Sequence, residues 1–320
     1  MILVTGATGF VGRPLCLALA GAHDLRVILR APDFPGFPLG VEQISKNLSG
    51  DEDWLDALVG VRVAVHCAAR VHVMNEQAAD PLAEFRRVNV DGTMRLARQA
   101  AESGVRRFVF LSSIKVNGER TVPGKPFVAD QPPAPEDPYG ISKMEAEEGL
   151  RVLSRETGME VVIIRPPLVY GPGVKANFLA MMRWLTRGVP LPLGLVTDNR
   201  RSLVALDNLI DLIVTCLDHP AAANQTFLVS DDESLSTAAL LRRMGEALGR
   251  PARLIPVPVP LLQMGAALLG KRDMAQRLCG SLEVDIGKTK ELLGWRPPIS
   301  VDEGLRRTAA HWLETEGTRK

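Results

Sequence analysis

Short runs of apolar, often β-branched residues alternate with segments of helical spacing along the first half of the chain. The runs at 2–5, 25–29, 63–66, 107–111 and 161–164 are predicted as strands, and the segments 12–20, 85–103 and 139–157 as helices. Buried strands that alternate with helices are typical of a parallel sheet covered by helices on both faces. The pattern therefore predicts an α/β fold with a doubly wound parallel sheet of the Rossmann type.

Proline and glycine loosen this pattern after about residue 166, in the stretches RPPLVYGPG (165–173) and RGVPLPLG (187–194). A helix at 206–217 and a strand at 226–229 are expected to rejoin the first domain. We therefore expect a first domain of residues 1–167 and 206–230. Residues 168–205 and 231–320 are expected to form a smaller C-terminal lobe.

The bulk composition excludes several classes of protein. The 320 residues carry a formal net charge of +1, so no basic surplus exists to bind a nucleic acid. The four cysteines are far apart and form no CxxC pair, so we expect reduced thiols and no metal site. The strongest apolar segment, 257–269, is interrupted by prolines and Gln263 and predicts a buried or amphipathic helix. We expect a cytoplasmic protein with no membrane partner.

The stretch VTGATGFVG at 4–12 places Gly6, Gly9 and Gly12 between a predicted strand and a predicted helix. In such a loop the first glycine makes the turn, the second admits a pyrophosphate and the third packs helix on strand. The helix N-terminus then offers free N–H groups to the anion. Since both flanking elements are predicted, dinucleotide binding is favoured over a simple glycine-rich turn.

The end of the second predicted strand indicates which dinucleotide this is. An acidic residue there would hold the ribose hydroxyls of NAD, but the chain has Arg30, and Arg13 follows the third glycine. Arginines in these places accommodate a 2′-phosphate, which favours NADP(H) over NAD(H). Alternatively, Arg30 is a solvated charge at the end of the strand. Asn47 and Leu48, after the third strand, are expected to border the adenine.

Candidate chemistry follows in the stretches FLSSIKVNG and DPYGISKMEAEE. Tyr139 and Lys143 lie four residues apart, on one face of the predicted helix. A neighbouring ammonium is expected to lower the pKa of the phenol, so that it exchanges a proton near neutral pH. Ser112 and Ser113 end a strand at the sheet edge where ligands bind. Alternatively, Tyr139 and Lys143 are a surface pair on the helix, and either serine caps a turn.

These motifs together resemble the extended short-chain dehydrogenases/reductases that act on nucleotide sugars. The resemblance includes TGATGFVG, HCAA at 66–69, NVDGT at 89–93, the Ser–Tyr–Lys set, RPPLVYGPG and LLGWRPP at 292–298. It implies Ser113, Tyr139 and Lys143 as catalytic residues and a homodimer. The cofactor-binding residues that we then expect are Gly6, Thr8, Gly9, Phe10, Val11, Gly12, Arg30, Asn47, Leu48, Ala68, Ala69, Asn89, Tyr139, Lys143 and Pro166.

By the same resemblance the C-terminal lobe binds the nucleotide sugar. Leu168 stands where many relatives carry asparagine, so one polar contact that the resemblance implies is missing. Arg200 and Arg201 are adjacent, and a fork of guanidinium donors of this kind suits the diphosphate of the nucleotide sugar. The substrate-binding residues that we expect are Arg70, Ser113, Lys115, Asn117, Tyr139, Asn177, Arg200 and Arg277.

Three reactions are open to such an enzyme. Ile114 and Lys115 stand where a dehydratase carries an acidic pair, which disfavours dehydration. Arg13 and Arg30 favour a ketoreductase that uses exchangeable NADPH, on a UDP-linked 4-keto-6-deoxy-N-acetylhexosamine of surface-polysaccharide synthesis. A UDP-hexose or UDP-N-acetylhexosamine 4-epimerase with bound NAD is the alternative. A dinucleotide sensor without catalysis is a more distant one, because such proteins usually lack the tyrosine or the lysine.

Overall fold

The computed structural model describes residues 1–31, 34–71 and 80–317. Its strands are β1 (Ile2–Thr5), β2 (Leu25–Leu29), β3 (Glu42–Ser45), β4 (Val63–His66), β5 (Arg107–Leu111), β6 (Glu160–Arg165), β7 (Leu168–Tyr170), β8 (Arg201–Ala205), β9 (Thr226–Leu228) and β10 (Ser234–Leu235). Seven of them form a parallel sheet in the order β3-β2-β1-β4-β5-β6-β9. The chain order reverses between β1 and β4, where the carboxyl ends of the strands leave a crevice for a ligand.

The helices are α1 (Gly12–Leu19), α2 (Leu55–Leu58), α3 (Pro81–Arg86), α4 (Thr93–Glu102), α5 (Pro138–Thr157), α6 (Ala176–Thr186), α7 (Leu206–Asp218), α8 (Thr237–Ala247), α9 (Val259–Leu268), α10 (Arg272–Cys279), α11 (Gly287–Leu293) and α12 (Val301–Gly317). One face of the sheet packs against α1 and α7, and the other packs against α2, α4 and α5. The central strands are buried on both faces, which explains their continuous apolar runs. The predicted doubly wound Rossmann fold is confirmed.

A second core belongs to the C-terminal lobe. Tyr170, Leu203, Leu241 and Leu305 are buried in this core, together with neighbours from α6 and α12. A three-stranded sheet in the order β10-β8-β7 supports it. The chain returns to the first sheet at β9, as expected for residues 226–229, and the structure shows that β9 pairs with β6. The domain boundaries themselves stay a prediction.

The helix predicted over 85–103 is wrong in two details. It begins earlier, at Pro81, because the Asp80 side chain caps the N–H of Ala83. It also contains a π-helical segment, Arg87–Gly92, before α4 continues. Gly92 lies against Leu48, and a Cβ on Gly92 would meet the Leu48 Cγ at 2.9 Å. A π-helical bulge in a helix commonly marks a functional region.

Two further elements depart from the sequence pattern. The strand expected before Asn47 was given no bounds, because β3 is an edge strand that is mostly exposed and lacks an apolar run. The segment predicted as a buried or amphipathic helix forms α9, but no residue of α9 is buried. Within the three described ranges, no helix combines the length and the apolar character that a membrane crossing requires.

Candidate active site

The glycine loop after β1 is built by close backbone contacts. Gly6 has a φ of +68°, which favours glycine, and the Gly9 N–H donates to the Gly6 carbonyl at 2.9 Å. A Cβ on Gly12 would lie 2.1 Å from the Gly6 oxygen, and one on Gly6 would lie 2.7 Å from the Ala68 nitrogen. The loop therefore admits no side chain at these two glycines and leaves the N-terminus of α1 facing the crevice. This geometry fits a dinucleotide pyrophosphate.

The remaining predicted cofactor residues surround this loop at the ends of the strands. Phe10 is half-buried and packs against the core of the C-terminal lobe, so the loop contacts both parts of the molecule. Ala68 donates its N–H to the Thr5 hydroxyl at 3.3 Å. The Pro166 carbonyl accepts from the Ile114 N–H at 3.0 Å. The other members of this set are exposed or half-buried: Thr8, Gly9, Val11, Arg30, Asn47, Leu48 and Ala69.

Asn89 differs from the rest of that set because its amide is used inside the protein. Its Oδ1 accepts from the Arg70 N–H at 2.8 Å, and its Nδ2 donates to the Arg70 carbonyl and to the Ser142 hydroxyl, each at 3.0 Å. The side chain is buried. Asn89 thus ties residue 70 and the π-helical segment to α5, and this placement supports a positioning role more than direct cofactor contact.

Ser113 follows the end of β5, and Tyr139 and Lys143 lie one turn apart on α5. Asp137 caps α5 by accepting from the Gly140 N–H at 2.7 Å, and Pro138 is its first residue, so the helix begins just before Tyr139. The Ser113 hydroxyl is close enough to the Tyr139 hydroxyl to lower the pKa of the phenol, and it accepts from the Lys115 N–H at 3.3 Å. The Lys143 ammonium lies over the Phe110 ring, 3.8 Å from its centroid. The arrangement places a hydroxyl donor and a proton-exchanging phenol side by side.

Burial dominates the electrostatics of this set. It raises the pKa of Tyr139 to about 12, with a smaller effect from Asp137, while the Ser113 hydroxyl acts in the opposite direction. Burial likewise lowers the pKa of Lys143 to about 7, although Glu147 and Cys67 oppose the shift. Lys143 is not among the groups that shift the pKa of Tyr139, so the expected lowering of this pKa by its ammonium stays a prediction.

The second serine of the pair points elsewhere. Ser112 is buried and donates to the Glu147 carboxylate at 2.6 Å. That carboxylate also accepts from the Arg165 guanidinium through both of its oxygens, with the Nε contact at 2.9 Å. The two serines therefore face different partners, which supports Ser113 as the one beside the reacting oxygen.

This buried network was missed by sequence reasoning and bears on Asn117. The Asn117 Oδ1 accepts from Arg165 at 2.9 Å, and its Nδ2 donates to the Val128 carbonyl at 3.0 Å. Because Asn117 is 1% exposed and both ends of its amide are bonded within the protein, the structure does not support its predicted contact with substrate. Glu147 follows Lys143 by one helical turn, and that spacing is the signal that could have found it.

The predicted substrate residues of the first domain are held by local contacts. The Arg70 guanidinium lies 5.6 Å from the centre of the Phe85 ring, and that ring contacts Tyr139 edge-on. Lys115 pairs with Glu119 at 2.9 Å and with the helix-capping Asp137. Arg70 is therefore close to the catalytic set, whereas the Lys115 ammonium already has two carboxylate partners.

In the C-terminal lobe, the two arginines of the predicted guanidinium fork differ in burial, because Arg201 is half-buried and Arg200 is exposed. Asn177 is also exposed. Arg201 donates to the carbonyls of Arg277 and Gly280, at 2.9 and 3.2 Å. Burial and the nearby Arg277 guanidinium lower the pKa of Arg201. Two neighbouring guanidinium groups of this kind suit a phosphate or diphosphate.

The described residues contain no metal site. Among residues 1–31, 34–71 and 80–317, no three histidine, cysteine or acidic side chains cluster closely enough to hold a metal ion.

Comparison with known proteins defines the family. Residues 2–230 match the family model described as the NAD dependent epimerase/dehydratase family. The chain belongs to this family. One curated relative within the epimerase/dehydratase family is the UDP-glucose 4-epimerase of Vibrio cholerae, which is 49% identical over 98% of this chain and 95% of its own.

Solved structures agree with the fold of this family member. A short-chain dehydrogenase/reductase superfamily protein from Agrobacterium tumefaciens, solved with bound NAD, has a TM-score of 0.78 at 26% identity and covers all of both chains. The UDP-glucose 4-epimerase of Thermotoga maritima, solved with UDP-glucose, has a TM-score of 0.79 at 22% identity, covering 98% of this chain and 99% of its own. The latter likeness shows the fold alone.

Proposed function

We propose that the chain is an NAD-dependent 4-epimerase of a UDP-linked hexose or N-acetylhexosamine. The observation that carries the proposal is its 49% identity, over 98% of its length, to a UDP-glucose 4-epimerase. The Ser113–Tyr139–Lys143 arrangement and the glycine cradle at Gly6 and Gly12 support it. The comparisons thus favour epimerization over the ketoreductase that the arginines at 13 and 30 suggested.

The residues of the chain have separate tasks in this reaction. NAD, held by the glycine loop when bound, supplies a reversible two-electron acceptor beside carbon 4 of the sugar. Tyr139 removes the proton of the 4-hydroxyl and later returns it, and Ser113 hydrogen-bonds to the same oxygen. Lys143, when protonated, stabilises the phenolate form of Tyr139. The Asn89 amide connects the backbone of Arg70 to α5 and so holds both in place beside the three catalytic residues.

The lobe of residues 168–205 and 231–320 is proposed to hold the nucleotide diphosphate. Arg200 and Arg277 are proposed as its anion ligands together with Arg201, whose guanidinium donates to the Arg277 carbonyl at 2.9 Å. Several guanidinium groups in one place suit a diphosphate. Residues 1–167 and 206–230 are proposed as the dinucleotide domain. We also propose a cytoplasmic homodimer, for which sedimentation would give the mass.

The ketoreductase remains the second candidate because of one observation. Arg13 and Arg30 are both exposed near the glycine loop and β2, where a 2′-phosphate would lie. Such an enzyme would consume NADPH while reducing a UDP-linked 4-keto sugar. An epimerase consumes no reduced cofactor, so the two functions differ in stoichiometry.

The deciding experiment incubates the purified protein with UDP-glucose and UDP-N-acetylglucosamine without added reduced cofactor. Formation of the 4-epimer, measured by proton NMR, together with release of NAD on denaturation, supports the proposal. Stoichiometric oxidation of NADPH with a UDP-linked 4-keto-6-deoxy sugar, and no epimer, would establish the reductase. Dinucleotide binding with neither reaction would favour a sensor.

A further inference from the structure

Helix α9 presents an apolar stripe to solvent. Leu261, Met264 and Leu268 are 52%, 58% and 83% exposed, and their spacing places them on one side of the helix. Val259 and Leu262, on the other side, pack against the core of the lobe. The helix is therefore docked on the protein by one face, and its other face has no cover from the described part of the chain.

The apolar surface continues beyond the helix. Ile255 precedes α9 and is 47% exposed, Leu269 follows it at 73%, and Met274 on α10 is 47% exposed. We call these six residues the α9 face: Ile255, Leu261, Met264, Leu268, Leu269 and Met274. A cluster of exposed large apolar side chains of this kind marks an interaction surface more often than isolated ones do.

The charges around the α9 face are mostly positive. Residues 246–273 contain Arg250, Arg253, Lys271 and Arg272, and their two acidic residues, Glu246 and Asp273, stand at the ends of the segment. All four cations are exposed. The whole chain has a formal net charge of only +1, so positive charge is concentrated in this segment. The partner that complements the α9 face is therefore apolar at its centre and anionic at its edge.

We propose that the α9 face binds the surface of an anionic phospholipid bilayer. The helix would lie in the interface with Leu261, Met264 and Leu268 among the acyl chains and the four cations at the headgroups. Ten residues of helix are too few to cross a bilayer, so the contact is peripheral. The proposal departs from the expectation that the chain has no membrane partner, which rested on the lack of a spanning segment.

A second copy of the chain is a poorer occupant of this surface. A two-fold contact would place the same patch of each copy against the other. The four cations of one copy would then face the four of its partner, with only Glu246 and Asp273 at the ends of the segment to offset the repulsion. An anionic lipid surface meets no such repulsion.

The test is flotation of the full chain with phosphatidylcholine vesicles that contain or lack phosphatidylglycerol. At low salt we expect binding only to the anionic vesicles, and its loss at high salt. The triple variant Leu261→Gln/Met264→Gln/Leu268→Gln should not bind. Lys271→Gln/Arg272→Gln should bind about 25-fold more weakly, since each cation near an anionic surface contributes about fivefold.

Leu313→Gln is the matched control, because Leu313 is 47% exposed on α12, outside the α9 face. It should bind vesicles like the unmodified chain, and circular dichroism should show all variants folded. Flotation that is absent with anionic vesicles, or that is unchanged in both the triple and the double variant, overturns the proposal. A triple variant that instead converts an oligomer to a monomer, with no vesicle binding by the unmodified chain, would assign the α9 face to a second copy.

Discussion

Glu147 lies one helical turn beyond Lys143 on α5, and the two side chains are 0% and 1% exposed. The Glu147 carboxylate raises the pKa of Lys143 against the larger, opposite effect of burial. It also binds Arg165 and Ser112, so it connects the lysine to the ends of β5 and β6. Glu147 touches none of the proposed reacting atoms and acts as a positioning residue.

Replacing Glu147 by glutamine is therefore expected to change the pH dependence of turnover. Lys143 loses its nearest anion, so its pKa falls and the alkaline limb of kcat moves to lower pH. The variant should also be less stable by about 3–5 kcal/mol, because Arg165 is left buried without its counter-ion. The measurement is a pH profile of kcat beside urea unfolding.

The exposed neighbour Glu148 supplies the control. Glu148→Gln should leave the profile and the stability unchanged. A Glu147→Gln enzyme that is destabilised but keeps the original pH profile would show that Glu147 is structural only.

Lys143→Met is expected to make the protein more stable while it removes activity. Below about pH 7 the lysine is charged in both the folded and the unfolded chain, so the free energy of unfolding is reduced by the full cost of the buried charge. Between pH 7 and the unfolded value of 10.5 only the unfolded chain holds the proton, and the original protein regains about 1.4 kcal/mol per pH unit. The advantage of the methionine variant should therefore shrink as pH rises.

Urea unfolding of the lysine and methionine proteins across this pH range measures the difference. Lys125→Met is the control, since the Lys125 side chain is exposed and its ammonium stays in water. A stability difference for Lys143→Met that does not change with pH would contradict the assigned pKa.

Tyr139→Phe is expected to lower kcat by about 10²–10⁴-fold, because it removes the group that exchanges the proton of the sugar hydroxyl. KM should change little, since the ring and its contact with Phe85 remain. Tyr170, the second of two tyrosines in the chain, is the control. Its hydroxyl donates to Asp231 at 2.7 Å, so Tyr170→Phe should cost stability and spare turnover. Near-normal turnover by Tyr139→Phe would sink the assignment.

Gly12→Ala is expected to abolish dinucleotide binding. The added Cβ would lie 2.1 Å from the Gly6 oxygen, so the loop must move and its N–H groups no longer converge. Gly265→Ala is the matched control, because its Cβ meets nothing within 4 Å and alanine favours the helix. Calorimetric titration with NAD compares the two; equal affinity in both would remove the glycine loop from the binding site.

Arg30→Ala tests which dinucleotide the loop prefers. If the guanidinium meets a 2′-phosphate, NADP(H) affinity should fall by at least tenfold, the loss of one charge-assisted hydrogen bond, and NAD(H) affinity should not change. Arg98, exposed on α4, provides the control substitution Arg98→Ala. An Arg30→Ala protein with unaltered NADP(H) binding would mean that Arg30 is only a solvated charge.

Much of the fold follows from local pattern. The five predicted strands of the first domain form where their apolar runs stand, because a strand buried on both faces needs a continuous apolar run. The glycine loop was predictable as well, since the contact of Gly12 with Gly6 is local in sequence, whereas the contact of Gly6 with Ala68 is made only in the folded chain. The spacing of Tyr139 and Lys143 likewise required only the geometry of one helix.

Contacts between distant segments were decided by the tertiary structure alone. Glu147 meets Arg165 across 18 residues of chain, and Arg201 approaches Arg277 across 76, so no local pattern predicts either pair. Burial likewise sets the pKa of Tyr139 and Lys143, because the cost of a charge depends on the dielectric that the whole fold creates around it. The sequence by itself determined which elements form and which chemical groups they carry; the packing of those elements decided which groups meet and which remain exposed.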